Sequence, residues 1–252
     1  MKRVHFAILI IALYGLTIGI FWATSVATLT IYSMKDSYSW QSVPNANNGG
    51  SDNFEIMSSL KNPKNMRGWV QFDIQKIPSD AWILGSTLRL RLWHKTTNDP
   101  SQGIGDSTGR IYGAYQITQP WEEMDVNWSN QPNYTENRHA TATVPNAQGG
   151  WDGPLVWMDW DVTNMVKDWR SGVPNYGVVI RDTQENSPIL YSTQFFTHNK
   201  VPGQTYYPRL IVTYLEPLGL ALLVVVFIVE GVFIIGLWRR QNKRTLVSGE
   251  AK

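Results

Sequence analysis

The residues of this chain best suited to chemistry are aromatic planes and clustered oxygen donors. Of its 12 tryptophans, all but Trp22 and Trp238 lie between Trp40 and Trp169, and an exposed indole offers the flat apolar face on which a pyranose ring stacks. The densest group is Trp151, Trp157 and Trp160, with Asp152 and Asp159 beside them. In LVWMDWDV, period-two alternation sends Val156, Met158 and Trp160 to one face and Trp157, Asp159 and Asp161 to the other. Trp151 and Trp157 are therefore the candidate carbohydrate-binding residues.

Hard oxygen ligands gather in a glycine-rich stretch, where Asn48, Asp52 and Asn53 are of the kind that hold calcium. The same asparagine-glycine run is also ordinary turn chemistry. No other cofactor is implied. Zinc would need paired nitrogen or sulfur ligands, but His94, His139 and His198 show no close pairing and cysteine is absent. Glycoside hydrolysis would need two carboxylates about 5 to 10 Å apart; Glu122, Glu123 and Asp125 are neighbours in a stretch with no active-site pattern. Neither a nucleophile elbow, a phosphate loop nor a dinucleotide fingerprint is present, so no catalytic residue is assigned. Two sequons, at Asn133 and Asn127, offer glycosylation acceptors, with Asn127 the more constrained because it precedes a core tryptophan.

The chain ends say where these groups are displayed. Residues 217–238 are apolar except for Glu230, long enough to cross a bilayer core of about 30 Å. Arg239, Arg240, Lys243 and Arg244 follow, which assigns the tail 239–252 to the cytoplasm. A carboxyl group within a span is costly, so Glu230 is the membrane residue expected to serve helix assembly, with a second copy or with a partner protein, unless it sits there as a neutral acid without function. At the other end, residues 1–27 read as a signal peptide cleaved after Ala27, or as an uncleaved anchor in which Gly15 and Gly19 form a small-residue face. Both readings put residues 28–216 on the outer side of the cell membrane. That stretch keeps 15 basic and 18 acidic residues, so the basic character of the chain belongs to its ends. Nucleic acid, which needs a concentrated basic face, is excluded as a partner.

The outer stretch must be built on its core alone, because it has no cysteine to cross-link. Alternating runs predict strands over 28–32, 68–74, 87–93, 110–117, 155–162, 177–181 and 209–214. In STLRLRLW, Leu88, Leu90 and Leu92 point inward, and Arg89 and Arg91 are expected on the wet face. Val162, Met165, Val166 and Trp169 form one apolar helical stripe, with Asp161 or Thr163 as cap and Gly172 and Pro174 as terminators.

Several segments, in order, resemble the DNRLRE domain family of archaeal and bacterial surface proteins, which is related to carbohydrate-binding modules. They are Asp36-Ser-Tyr38, Asn48-Gly-Gly-Ser51, Gly68-Trp-Val-Gln-Phe-Asp-Ile74 running into Ile77-Pro78, and Leu88-Arg-Leu-Arg-Leu92. Trp121-Glu122, Asn127-Trp-Ser-Asn-Gln-Pro132, the Asp161 to Gly172 helix with Asn175-Tyr-Gly177, and Pro208 to Tyr214 complete the set. Trp69 and Asn127 depart from the family pattern. The resemblance implies an all-β jelly-roll sandwich with one short helix, and places Trp121, Trp128 and Trp169 in structural motifs of its core. The expected molecule is a membrane-anchored surface module whose ligand is a polysaccharide or glycoprotein. The alternative is an envelope protein whose sandwich binds protein partners.

Overall fold

The computed structural model describes residues 12, 14–19, 26–150, 154–200, 203–216, 224–236 and 239. Two compact units divide the chain, the larger made of Thr28–Ser79 and Ile83–Thr213. It is all-β. Ten strands run as β1 (Val26–Trp40), β2 (Asn53–Ser58), β3 (Met66–Phe72), β4 (Trp82–Lys95), β5 (Ile111–Ile117), β6 (Tyr134–Thr143), β7 (Trp157–Asp161), β8 (Val178–Asp182), β9 (Tyr191–Phe196) and β10 (Arg209–Leu215). The sheet order is β1-β10-β4-β9-β2-β3-β8-β5-β6, with β7 on β4. Because β1 also pairs with β3 from Ser33 to Trp40, the first six strands close on themselves. The result is a barrel-like sandwich, with β8, β5 and β6 extending one side.

Strand β4 explains how sequence becomes core. Leu88, Leu90 and Leu92 are fully buried, each contributing roughly 1.5–3 kcal/mol on leaving water. Opposite them, β7 places Trp160 against Leu88 and Met158 against Leu90, and both are buried as the alternation predicts. Trp160 meets its polar requirement by donating Nε1–H to the Tyr112 carbonyl at 2.8 Å. Trp69, a departure from the family pattern, is likewise fully buried, and its Nε1 donates to Ser39 Oγ at 3.1 Å.

Strands β2, β6 and β9 are absent from the periodicity reading. YTENRHATAT in β6 is an edge strand with polar residues on both faces, so it carries no apolar period. The expected helix is present as Thr163–Arg170, burying Met165, Val166 and Trp169. The amino cap corrects the expectation: it is Val162, without a side-chain cap bond, while Asp161 Oδ1 accepts from Thr163 N at 3.0 Å just before it because Thr163 is already the first helical residue. Beyond the C-cap Ser171, Gly172 has φ +107, a left-handed position.

In the smaller unit, residues 14–19 and 224–236 are helical. No helix among the described residues is long and apolar enough to cross a membrane; residues 217–223, 237 and 238 of the expected span lie outside the described set.

Candidate binding face

The wet side of β4, β7 and β10 gathers three guanidinium groups around aromatic rings. Cross-strand register sets Arg91 opposite Trp157 and Arg89 opposite Asp159. Arg89 makes a fork-like pair with Asp159, through Nε at 2.8 Å and a terminal nitrogen at 2.6 Å. From β10, Arg209 lays its guanidinium 4.2 Å from the centre of the Trp157 ring, donating to the carbonyls of Gln204 and Thr205. Arg91 lies 4.2 Å from the Tyr206 ring and 5.2 Å from Phe196.

This corrects the expectation for Arg91. It is only 2 % exposed, because Tyr206 and Phe196 close over it. Alternation predicts which side of a strand a residue faces, but not whether a later loop covers that side. Arg91 and Arg209 have no ion-pair carboxylate among the described residues, and the Nε of each is buried without a hydrogen-bond partner. Burial lowers the pKa of Arg209, and the positive charges of Arg89 and Arg91 lower it further. Among the described residues the face sets three guanidinium groups against two β7 carboxylates, Asp159 and Asp161, and only Asp159 pairs with one of them. Trp157 is half-buried on this face, with one side of its indole occupied by Arg209. Trp151 lies outside the described residues.

A cleft of about 620 Å³ lies between the end of β3 and the Thr163–Arg170 helix, lined by Gln71, Asp73, Trp169 and Asn175 among others. Its amides are spent internally: Gln71 donates to the Asn175 carbonyl and Asn175 to the Phe72 carbonyl, each at 2.8 Å.

The residues expected to hold calcium are placed as follows. Asn48 donates its amide to the Tyr38 carbonyl at 3.1 Å, Asp52 pairs with Lys200 at 3.1 Å, and Asn53 belongs to β2. Sequence reading missed a cluster beside this loop. Asp36, Glu123 and His198, from three separate segments, bring one donor atom each to within 4.8 Å of one another. His198 finds carboxylates rather than a second histidine, so spacing along the chain could not reveal it. Contact with Asp36 raises the His198 pKa, burial opposes this, and Glu123 adds to the rise. Burial raises the pKa of Glu123. Glu122 turns away to Lys35 at 2.9 Å, so the three neighbouring carboxylates do not converge. Asn133 is exposed, whereas the Asn127 amide is held by Asp125, Ser129 and Asn130.

In the smaller unit, Thr17 Oγ1 donates to Glu230 Oε1, and Tyr14 meets Phe227 with ring centres 5.6 Å apart. An added Cβ at Gly15 or Gly19 would meet nothing within 4 Å, so these glycines are not the surface by which the described helices approach.

The model of carbohydrate-binding module family 96 matches residues 27–206, which span every strand but β10. The chain belongs to this family. No curated protein matches it. A family 96 module is by description a carbohydrate-binding domain, so polysaccharide is the ligand class that the charged aromatic face must be weighed against.

Proposed function

We propose that this family 96 module binds an acidic polysaccharide across the face of β4, β7 and β10. The observation that carries this reading is Arg209, half-buried against Trp157 and beside Tyr32 with no ion-pair carboxylate among the described residues, and backed by the buried charge of Arg91. A sugar carboxylate or sulfate would relieve their mutual repulsion, and guanidinium forks suit such groups better than neutral hydroxyls. The aromatic edges would supply apolar contact to the rings. Glu122 turns to Lys35 while Glu123 faces His198, so these neighbouring carboxylates do not converge as a hydrolytic pair, which favours binding over hydrolysis. The test is affinity electrophoresis of the full-length chain against acidic and neutral polysaccharides, with Trp157→Ala beside it. Retardation by acidic polymers alone, weakened in the variant, supports the reading. Equal retardation by neutral polymers, or none by any, contradicts it.

The ordered motifs keep the finer resemblance to DNRLRE domains, and a jelly-roll sandwich displayed outside the cell is the arrangement that reading gives. The tether would be residues 217–238, with the basic tail inside. Contact between Thr17 and Glu230 favours retention of the N-terminal segment as a second helix over its removal, and favours pairing within the chain over recruitment of a partner protein. The chain has no native cysteine. Oxidation of a Tyr14→Cys, Phe227→Cys variant in membranes should therefore cross-link the two ends; a mature chain lacking residue 14 would sink this part.

A further inference from the structure

We propose that Asp36, Glu123 and His198 form a site for one first-row divalent cation, of the Mn²⁺ or Zn²⁺ type. The three residues come from β1, from the segment between β5 and β6, and from the turn after β9, and their donor atoms lie within 4.8 Å of one another. Ligand atoms around such an ion, at bonds of about 2.1 Å, stand roughly 3 to 4 Å apart. Modest closure of Glu123 and His198 completes that geometry. Both side chains are partly exposed, at 19 % and 24 %, which leaves an entry path for the ion.

The second observation is what hydrogen bonding leaves over. Asp36 is fully buried, yet its Oδ1 has no partner. All its internal donors, Ser33 Oγ at 2.8 Å and the His198 backbone N–H at 3.0 Å, go to Oδ2. His198 spans the two carboxylates, with Nδ1 3.0 Å from Asp36 Oδ2 and Nε2 3.5 Å from Glu123 Oε1. A buried carboxylate oxygen left unpaired is costly, so its place beside two further ligand-type side chains points to an occupant. A cation would take the lone pair of Asp36 Oδ1 together with one imidazole nitrogen and a Glu123 oxygen.

The surroundings hold the donors in place. The Asp36 N–H donates to Glu123 Oε1 at 3.2 Å, and Asn47 Nδ2 donates to the Glu123 carbonyl at 2.8 Å. Gly49 comes so close that a Cβ there would meet the Glu123 carbonyl oxygen at 2.3 Å, while Asn199 donates to the Gly49 carbonyl at 2.7 Å. The asparagine-glycine loop thus acts as an outer support, in the manner of groups that orient metal ligands. One imidazole with two carboxylates suits Mn²⁺ or Zn²⁺, whereas Ca²⁺ takes 6–8 oxygen ligands. By binding only the folded form, the ion would tie three distant segments together and raise stability.

The test strips the full-length chain with a chelator, then follows isothermal titration and thermal unfolding with MnCl₂, ZnCl₂ or CaCl₂. The expected result is one Mn²⁺ or Zn²⁺ per chain with a raised Tm, and affinity lower by at least about tenfold in both Glu123→Gln and His198→Gln. Electron spin-echo spectra of the Mn²⁺ form should carry an imidazole nitrogen coupling that disappears in His198→Gln. Folding of each variant is checked by its unfolding transition, since neither residue is fully buried. Absence of binding, binding unchanged in both variants, or preference for Ca²⁺ would overturn the site and leave His198 as an imidazolium between two carboxylates.

Discussion

Gly177→Ala should destabilise the module far more than Gly172→Ala, although both glycines occupy left-handed backbone. Gly177 has φ +83 and Gly172 φ +107. An alanine in that region costs about 1–2 kcal/mol from the backbone alone. The positions differ in space. At Gly172 a Cβ meets nothing within 4 Å, whereas at Gly177 it would stand 2.1 Å from the Val70 carbonyl oxygen and 2.9 Å from Gln71 Cα. Both obstacles are backbone of β3 or its flank, so the strand itself must shift, adding about 1–3 kcal/mol. The Gly177 N–H also donates to Asn175 Oδ1 at 3.0 Å, and the carbonyl of its neighbour Tyr176 accepts from Trp121 Nε1 at 2.8 Å, so the shift reaches the core. Taking about 1 kcal/mol for Gly172 and about 3 for Gly177, at about 2–4 °C per kcal/mol, Tm should fall by roughly 2–4 °C and 6–12 °C respectively. Thermal unfolding followed by tryptophan fluorescence reads both. Equal losses would refute the argument that close approach, rather than backbone conformation, explains Gly177.

Burial raises the pKa of Glu55, with Ser192 and Gln194 hydrogen bonds opposing. The folded form then binds more protons than the unfolded one, so this group's contribution falls as pH rises from about 4.5, its ordinary value, through the folded pKa. Denaturant titrations should find a shallower decline over that window in Glu55→Gln. Arg67 and Glu185 form a largely buried pair at 2.7 Å, with Arg67 also 4.7 Å from the Trp128 ring. Glu185→Ala should cost about 3 kcal/mol in the same assay, and the double variant Arg67→Met, Glu185→Ala less than the sum, because an unpaired buried charge is the main penalty. On the binding face, Asp159→Asn releases Arg89 from its carboxylate and should strengthen binding to an acidic polysaccharide, measured by affinity electrophoresis.

Features set by local periodicity could be read from the sequence: the β4 leucines, the facing of Met158 and Trp160, and the helix ending at Gly172. Strands whose two faces are both polar or both covered could not, as β6 and β9 illustrate. The same divide runs through the sites. Alternation placed Trp157 on the outer side of β7, but Arg209, which caps its ring, lies 52 positions later and is brought there by β10. Arg91 looked wet because nothing local announces that Phe196 and Tyr206 close over it. Likewise, the asparagine-glycine loop drew attention for its own oxygens, whereas its structural part is to support Glu123, a role that depends on β1 and the turn at His198.

The central claim is that positive charge among aromatic rings on β4, β7 and β10 selects an acidic glycan. Isothermal titration of the full-length chain with an acidic polysaccharide and with the same polymer after carboxyl reduction tests it most directly, with Arg209→Gln alongside. The account predicts binding to the acidic form, weakened by added salt and by about tenfold or more in Arg209→Gln, and little binding to the reduced polymer. Equal affinity for both polymers, or an Arg209→Gln variant that binds as the native chain does, would contradict it.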